Sequence, residues 1–484
     1  MHFTMISGLK NRSGILTAFC SVVLFSGTSA FGQTGKQTEL NDLSAFKNPS
    51  KSWQIVSDVK ADLAKPNSLK FNEGVGVLLN LPDNRNKGED LYTVEDYGDI
   101  DLELDYLIAP GSNSGIYLQG RYEIQLADTW GAKSIRSGSN GGIYERWDDS
   151  KPEGQKGYSG YAPRQNASRA PGVWQKLRIS FQAPRFDQSG NKTQNAVVLR
   201  VDMNGVTIHD NVELTGVTRG SMAADEKATG PIRIQGDHGP VAFRNIKITR
   251  FDAPRQTVRA AANPNAVDPI LINADENIVL RSFMDIPGGS RVVHAVSVGS
   301  PAQVHYTYDM DNAAIIQIWR GAFLNATPMW HDRGDGSSRP LGTVQRFGKP
   351  VQSIARLENA QATWPADTLG TSYRPKGYIL DSEGKPSFKY LTNGIEVTDF
   401  TSVMTDGKGL TREIKIGNTS NDFYFRLANA ASIEETSPGL YIIEDQYYLR
   451  LDNVNGAKAI LRDQDGRKEL IIPAGTGLSY SILF

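Results

Sequence analysis

Glu123 and Gln125 stand two apart in the stretch Asn113 to Gly131, NSGIYLQGRYEIQLADTWG. Apolar side chains fall at Ile116, Leu118, Tyr122, Ile124 and Leu126, and between them come Tyr117, Gln119, Arg121, Glu123 and Gln125. One face is apolar; the other carries a cation, a carboxylate and two amides. That set can hold the hydroxyls of a sugar, and its carboxylate can move a proton. A second stretch, GPIRIQGDHGPVAFRNI, repeats the pattern: Ile232 and Ile234 alternate with Arg233 and Gln235, and GDHG then sets His238 between glycines. If the two strands are neighbours, Glu123, Gln125, Gln235 and His238 share one outward face. Taken alone, each row also fits a solvated sheet surface with ordinary cross-strand pairs.

Such rows need a sheet to carry them. Period-two alternation runs through most of the chain, in SWQIVSDV, GVGVLLNL, DIDLELDYLI, VWQKLRISFQAP and AVVLRVDMNGVTIHDN, with Gly, Pro, Asn and Asp clusters between. Asn204-Gly205 is a strong two-residue hairpin signal. The chain contains 47 Gly and 23 Pro. These features predict an all-β protein, its first part a jelly-roll sandwich. One outer face of such a sandwich is concave and can hold a saccharide. Tyr117, Trp130, Tyr144, Trp147 and Tyr161 would offer rings to the apolar faces of a pyranose. Residues 252–269 lack alternation and carry three prolines, which predicts a linker. Residues 270–484 read as a second β-sandwich, with a hairpin around Glu383-Gly384.

The N-terminal residues 1–32 read as a secretory signal peptide. Lys10 and Arg12 precede the apolar run Ile15 to Gly27, and small residues follow. The single cysteine, Cys20, lies inside it, so the mature chain would have no disulfide and no thiolate chemistry. A periplasmic or secreted location is expected, with no transmembrane segment in the remainder. The formal net charge of -1 gives no reason to expect nucleic acid as a partner. There is no His-Glu-x-x-His, no phosphate-cradling glycine loop and no Gly-x-Ser-x-Gly turn. YDMDN (Tyr308 to Asn312) and RDQDG (Arg462 to Gly466) are only fragments of calcium loops. Of the histidines, His238 and His331 sit in glycine-flanked polar loops. His209 is expected at the surface, and His294 and His305 in structural strand positions.

The segments NSGIYLQGRYEIQLADTWG, GGIYERW, NASRAPGVWQKLRISFQAPRF, MNGVTIHDNVEL and GPIRIQGDHGPVAFRNIKI, in this order, resemble the 3-keto-disaccharide hydrolase domain family. The resemblance covers roughly Ser52 to Phe251, so residues 33–251 are taken as one domain. It implies a concanavalin- or laminin-G-like jelly roll acting on glycosides oxidised to a ketone at carbon 3. That ketone acidifies the hydrogen on carbon 2, so a base can take it and the group on carbon 1 can leave. Water then adds back, or the unsaturated sugar is released. The chemistry implies Glu123 or His238 as base or acid. Arg121 or a bound divalent cation would stabilise the enolate. Gln125, Asp128, Tyr144 and Gln235 would hold hydroxyls. A partner oxidoreductase would make the keto sugar. Two other readings use the same fold: a non-catalytic carbohydrate-binding protein, and a scaffold whose second half docks a dehydrogenase. The region beyond Ile270 lies outside the resemblance and reads as an accessory domain for carbohydrate binding, packing or oligomerisation. His331, Asp332 and Asp335 are its candidate second site.

Overall fold

The computed structural model describes residues 34–253, 255, 267–332, 334–417 and 422–484. The leader with Cys20 and most of the linker lie outside them. The described residues fall in one compact unit. Among the described residues no helix is long and apolar enough to cross a membrane.

The first half is a two-sheet sandwich. Its back sheet runs Val206–Leu214, Ala196–Met203, Gln175–Gln182, Ile100–Ile108, Val241–Arg250, Leu69–Asn80 and Trp53–Ala61, with Thr34–Gln37 added on Val241–Arg250. Its front sheet runs Phe46–Lys47, Leu91–Tyr97, Gly230–Ile234, Asn113–Leu118 and Tyr122–Ala127. Neighbours in each sheet are mostly distant in sequence, as a jelly roll requires. The alternating apolar residues meet between the sheets. Ile116, Leu118, Tyr122, Ile124 and Leu126 pack in one core with Leu102, Tyr106, Ile179, Phe181 and Val201. Each is fully buried, and cutting one leucine back to alanine there would cost about 2–5 kcal/mol. The Asn204-Gly205 hairpin forms as predicted: both residues are left-handed, at φ 51° and 83°, the geometry a two-residue turn needs. His209, expected at the surface, is instead buried on the strand after it, its Nε2 2.8 Å from the Gly141 carbonyl. Burial lowers its pKa to about 4, so it stays neutral and structural.

Among its described residues the second half has one helical turn and sheets of six, four and eight strands. Val298, Tyr306, Phe388, Leu410, Phe425 and Leu449 share its main core. The hairpin around Glu383-Gly384 joins Arg374–Leu380 to Pro386–Thr392. The two halves are fastened by specific bonds. Trp130 donates from Nε1 to the Phe484 carbonyl (2.8 Å), Tyr448 to that of Pro171 (3.1 Å) and Gln165 to that of Leu341 (2.9 Å). Ala170, Val173, Leu440, Ile442, Tyr448 and Leu483 form a small apolar cluster beneath them.

Candidate functional site

The outward face of the front sheet is polar, and it is buried. The strand register sets one row across it: Tyr92 opposite Arg233, Arg233 opposite Tyr117, and Tyr117 opposite Glu123. Tyr144 extends the row, its backbone N–H donating to the Glu123 carbonyl at 3.0 Å. A second row runs Gln235, Gly115, Gln125: Gln235 donates its backbone N–H to Gly115 (2.9 Å), and Gly115 pairs with Gln125. Glu123, Gln125 and Gln235 therefore share one face, as the alternation requires. Glu123 points away from the core between the sheets and is still only 2% exposed.

Two features bury it. The first is Gly115. A Cβ there would lie 2.2 Å from Oε1 of Glu123, so the carboxylate lies across the bare backbone of its neighbour. Only glycine leaves that room. The second is the loop around Thr218 and Gly220. The Thr218 hydroxyl accepts from the Glu123 backbone N–H at 3.1 Å and donates to the Arg121 carbonyl at 3.0 Å. A Cβ on Gly220 would stand 3.0 Å from the Tyr117 hydroxyl, so the loop backbone lies close over that ring.

The electrostatics follow from this burial. Desolvation raises the Glu123 pKa to about 7; the Tyr117 hydroxyl, which hydrogen-bonds the carboxylate, and the Arg233 charge pull it back, while Asp90 and Asp237 push it up further. Burial, and then the facing Glu123 carboxylate, hold the Tyr117 phenol far above its ordinary range, so it stays a donor. The Arg233 guanidinium stacks on the Tyr117 ring, 4.1 Å from its centroid, and pairs with Asp90 at 2.6 Å. Nε of Arg233 and Oε1 of Gln235 are buried without a hydrogen-bond partner among the described residues. Buried polar atoms are rarely left so, and a bound ligand or water would satisfy them. Gln125 donates its amide to Asn113 Oδ1 at 2.5 Å, which extends the polar floor.

His238 lies at the rim. Its ring is half exposed, and Nδ1 pairs with the Asp237 carboxylate. That partner fixes which nitrogen faces outward. Asp237 is also close enough to raise the Glu123 pKa, so the dyad and the carboxylate belong to one field.

Three of the sequence candidates serve other purposes. Arg121 is in the three-residue loop between the strands, and its Nε and Nη1 donate to the carbonyls of Asp225 and Gln119 while Nη2 pairs with the Asp225 carboxylate at 3.3 Å. It ties down the 225 segment; Arg233 holds the place beside Glu123. Asp128 accepts from the backbone N–H groups of Gly111 (2.9 Å) and Trp130 (3.2 Å), which shapes a turn. Trp130 docks the second half. Of the remaining aromatics, Trp147 lies under the Arg219 guanidinium, 3.6 Å from its centroid, and Tyr161 donates to Glu213 at 3.4 Å. In the second half His331 pairs with Asp332 (2.9 Å), whereas Asp335 is held by Arg291 (3.2 Å) and Ser337 (2.6 Å). Among the described residues no three or more His, Cys, Asp or Glu side chains are arranged to hold a metal. The donor set thus does not fit a divalent cation. Asp90, Arg233 and Asp237 are the residues added to the site; Tyr117, expected to offer its ring to a pyranose, has that ring under Arg233 and brings its hydroxyl instead. Arg233 shares the alternation that marks Gln235; Asp90, in the loop KGED, carries no periodic signal at all.

A carboxylate with its pKa raised to about 7, a phenol and a guanidinium lie on one concealed sheet face, with an aspartate–histidine dyad at its rim. Residues 35–249 match the 3-keto-alpha-glucoside-1,2-lyase-like domain family. The matched segment, a lyase-like domain, comprises the first sandwich. Two crystal structures from Parabacteroides distasonis ATCC 8503, both assigned by name to the glycosyl hydrolases, align with it. They cover 49% and 45% of this chain and the whole of their own, at 23% and 21% identity, with TM-scores of 0.31 and 0.30. No curated protein shows significant similarity to the chain.

Proposed function

We propose that the lyase-like domain cleaves 3-keto-glycosides, with Glu123 as the base. The observation that carries this reading is a buried carboxylate whose pKa is raised to about 7, beside a guanidinium with a free Nε. Ionised Glu123 takes the proton from carbon 2 of the sugar. The electron pair forms the C2–C3 double bond and charge moves to the C3 oxygen. Arg233, with the Tyr117 hydroxyl, stabilises that oxyanion. The pair then returns: the C3 ketone reforms, a C1–C2 double bond forms, and the C1–oxygen bond breaks. His238, oriented by Asp237, gives the departing oxygen its proton. Water adding across C1–C2 completes a net hydrolysis; release before that step gives the unsaturated keto sugar. Gln125, Gln235 and Tyr144 hold hydroxyls. The same reading has the chain exported by residues 1–32 and fed by an oxidoreductase that makes the ketone.

The test is a 3-keto-glucoside in heavy water. Deuterium should enter carbon 2 of the hydrolysed sugar, or carbon 2 should be left without hydrogen where the unsaturated sugar is released, and kcat/KM should rise with pH through about 7 as Glu123 ionises. Turnover without exchange at carbon 2, retained in Glu123→Gln, would overturn the mechanism.

A further inference from the structure

The second half contains a cavity of about 510 Å³ that the lyase-like site does not touch. It opens between its sheets, and its charged lining is all of one sign. Lys349, Arg412, Arg426 and Arg467 line it, and no Asp or Glu is among its lining residues. The carboxylates behind it do not balance this charge. Asp399 answers Arg412, through Nε at 2.9 Å, and Arg412 also donates to Ser353 and the Ala313 carbonyl. Glu469 must serve two guanidiniums, Arg426 at 2.6 Å and Arg462 at 2.9 Å. Arg467 turns its Nη2 to the Asn429 carbonyl (3.0 Å), with Glu444 no nearer than 3.5 Å. Burial holds Arg426 below the usual guanidinium value, against the pull of Glu469. The excess is cationic, and it faces a space much larger than one oxyanion.

The rest of the wall is of a different kind. Phe347 and Tyr447 pack edge to face, with centroids 5.1 Å apart, and Leu427 and Leu449 continue the apolar side. The Asn429 amide and Ser353 hydroxyl add polar contacts. The volume falls in the range of small-molecule sites. We infer that this cavity binds a saccharide unit bearing a carboxylate: the sugar ring against Phe347 and Tyr447, the carboxylate on Arg426, Arg467 and Lys349. Arginine forks fit a carboxylate in two-point geometry, and the ring wall fits a pyranose face. The site would tether the protein to acidic glycans and is independent of the turnover proposed for the first half.

Calorimetry on the full chain tests it with digalacturonate, cellobiose and sodium sulfate as probes. Digalacturonate should bind at least about tenfold more tightly than cellobiose or sulfate, and more weakly as salt is raised. Lys349 and Arg467 are both exposed, so Lys349→Ala with Arg467→Ala leaves the core intact. That double variant should lose about tenfold in affinity, and Lys349→Glu should lose at least as much. Glu123→Gln should bind digalacturonate as the parent does. Equal binding of cellobiose, or of sulfate, overturns the assignment. So does unchanged binding in the double variant, or loss of binding in Glu123→Gln, which would move the ligand to the first half. Turnover of a 3-keto-glucoside is measured separately, so failure here leaves that reading standing.

Discussion

Glu123 and Glu469 are both buried glutamates on β-strands, and their surroundings drive them in opposite directions. Glu469 also suffers desolvation, but hydrogen bonds from Asn429, Arg426 and Arg462 outweigh it and hold its carboxyl below the usual range. Its oxygens take Arg426 at 2.6 Å, Asn429 at 2.9 Å and Arg462 at 2.9 Å. Glu123 has one hydroxyl, from Tyr117, and a guanidinium that is turned to Asp90 and the Gly220 carbonyl. Its desolvation is left largely unanswered, and its proton is held up to about pH 7. A carboxylate whose bonds are complete stays charged and fixed. One whose bonds are partly complete can take a proton and give it back. The difference separates a structural pair from an acid–base group.

Exchanging each for its amide should break this contrast in different observables. Glu123→Gln removes the proposed base, and kcat on a 3-keto-glucoside should fall by about 10²–10⁴-fold, with the melting transition kept. Glu469→Gln leaves Arg462 and Arg426 without their counter-charge. Unfolding free energy in denaturant should drop by about 3–5 kcal/mol, while kcat per folded molecule stays within about twofold. Loss of activity in folded Glu469→Gln, or loss of folding in Glu123→Gln, would reverse the two assignments.

Much of this was legible in the sequence because a strand has period two. The apolar positions 116, 118, 122, 124 and 126 fix which face of the front sheet is core, and so which face carries Glu123 and Gln125. The same parity would have given Arg233, which stands two before Gln235. Parity fails at Arg121, because the strand stops at Leu118 and a three-residue loop carries Arg121 off to Asp225. It is silent at Asp90 and Thr218, which reach the site from loops; sheet order and loop packing, not local pattern, bring them there. Burial of the polar row was also hidden. Alternation says which way a side chain points, not whether a loop will cover it. Trp130 illustrates the converse. Its place after the motif suggested a sugar platform, yet its Nε1 is bonded to Phe484, some 350 residues on.

Gly115 sharpens the comparison, since the low exposure of Glu123 depends on it. A methyl group 2.2 Å from Oε1 cannot be accommodated without moving the carboxylate. Gly115→Ala should therefore lower kcat by about 10²-fold, the cost of a displacement near 1 Å at a reacting group. The apparent pKa in the rate profile should move back toward an ordinary carboxylate as Glu123 gains water. A Gly115→Ala enzyme with parental rate and profile would show that the carboxylate works from elsewhere.

The smallest effect concerns stability and its dependence on pH. The folded-state pKa of Glu123 is raised from 4.5 to about 7, so the native state holds this proton more tightly than the unfolded chain does. Its contribution is then fully present below about pH 4.5 and is lost as pH rises to about 7; above that the buried charge is a constant cost. Gln cannot ionise and never incurs that cost. In chemical denaturation the difference between Glu123→Gln and the parent should thus grow by about 3 kcal/mol in favour of the variant from pH 4.5 to pH 8. The direction is opposite to that expected for Glu469, whose lowered pKa makes it a stabilising group above the carboxylate range. A flat difference across that window would mean that Glu123 reaches water in the native state. A gain that accompanies loss of turnover would mark Glu123 as a group the fold keeps for chemistry against its own stability.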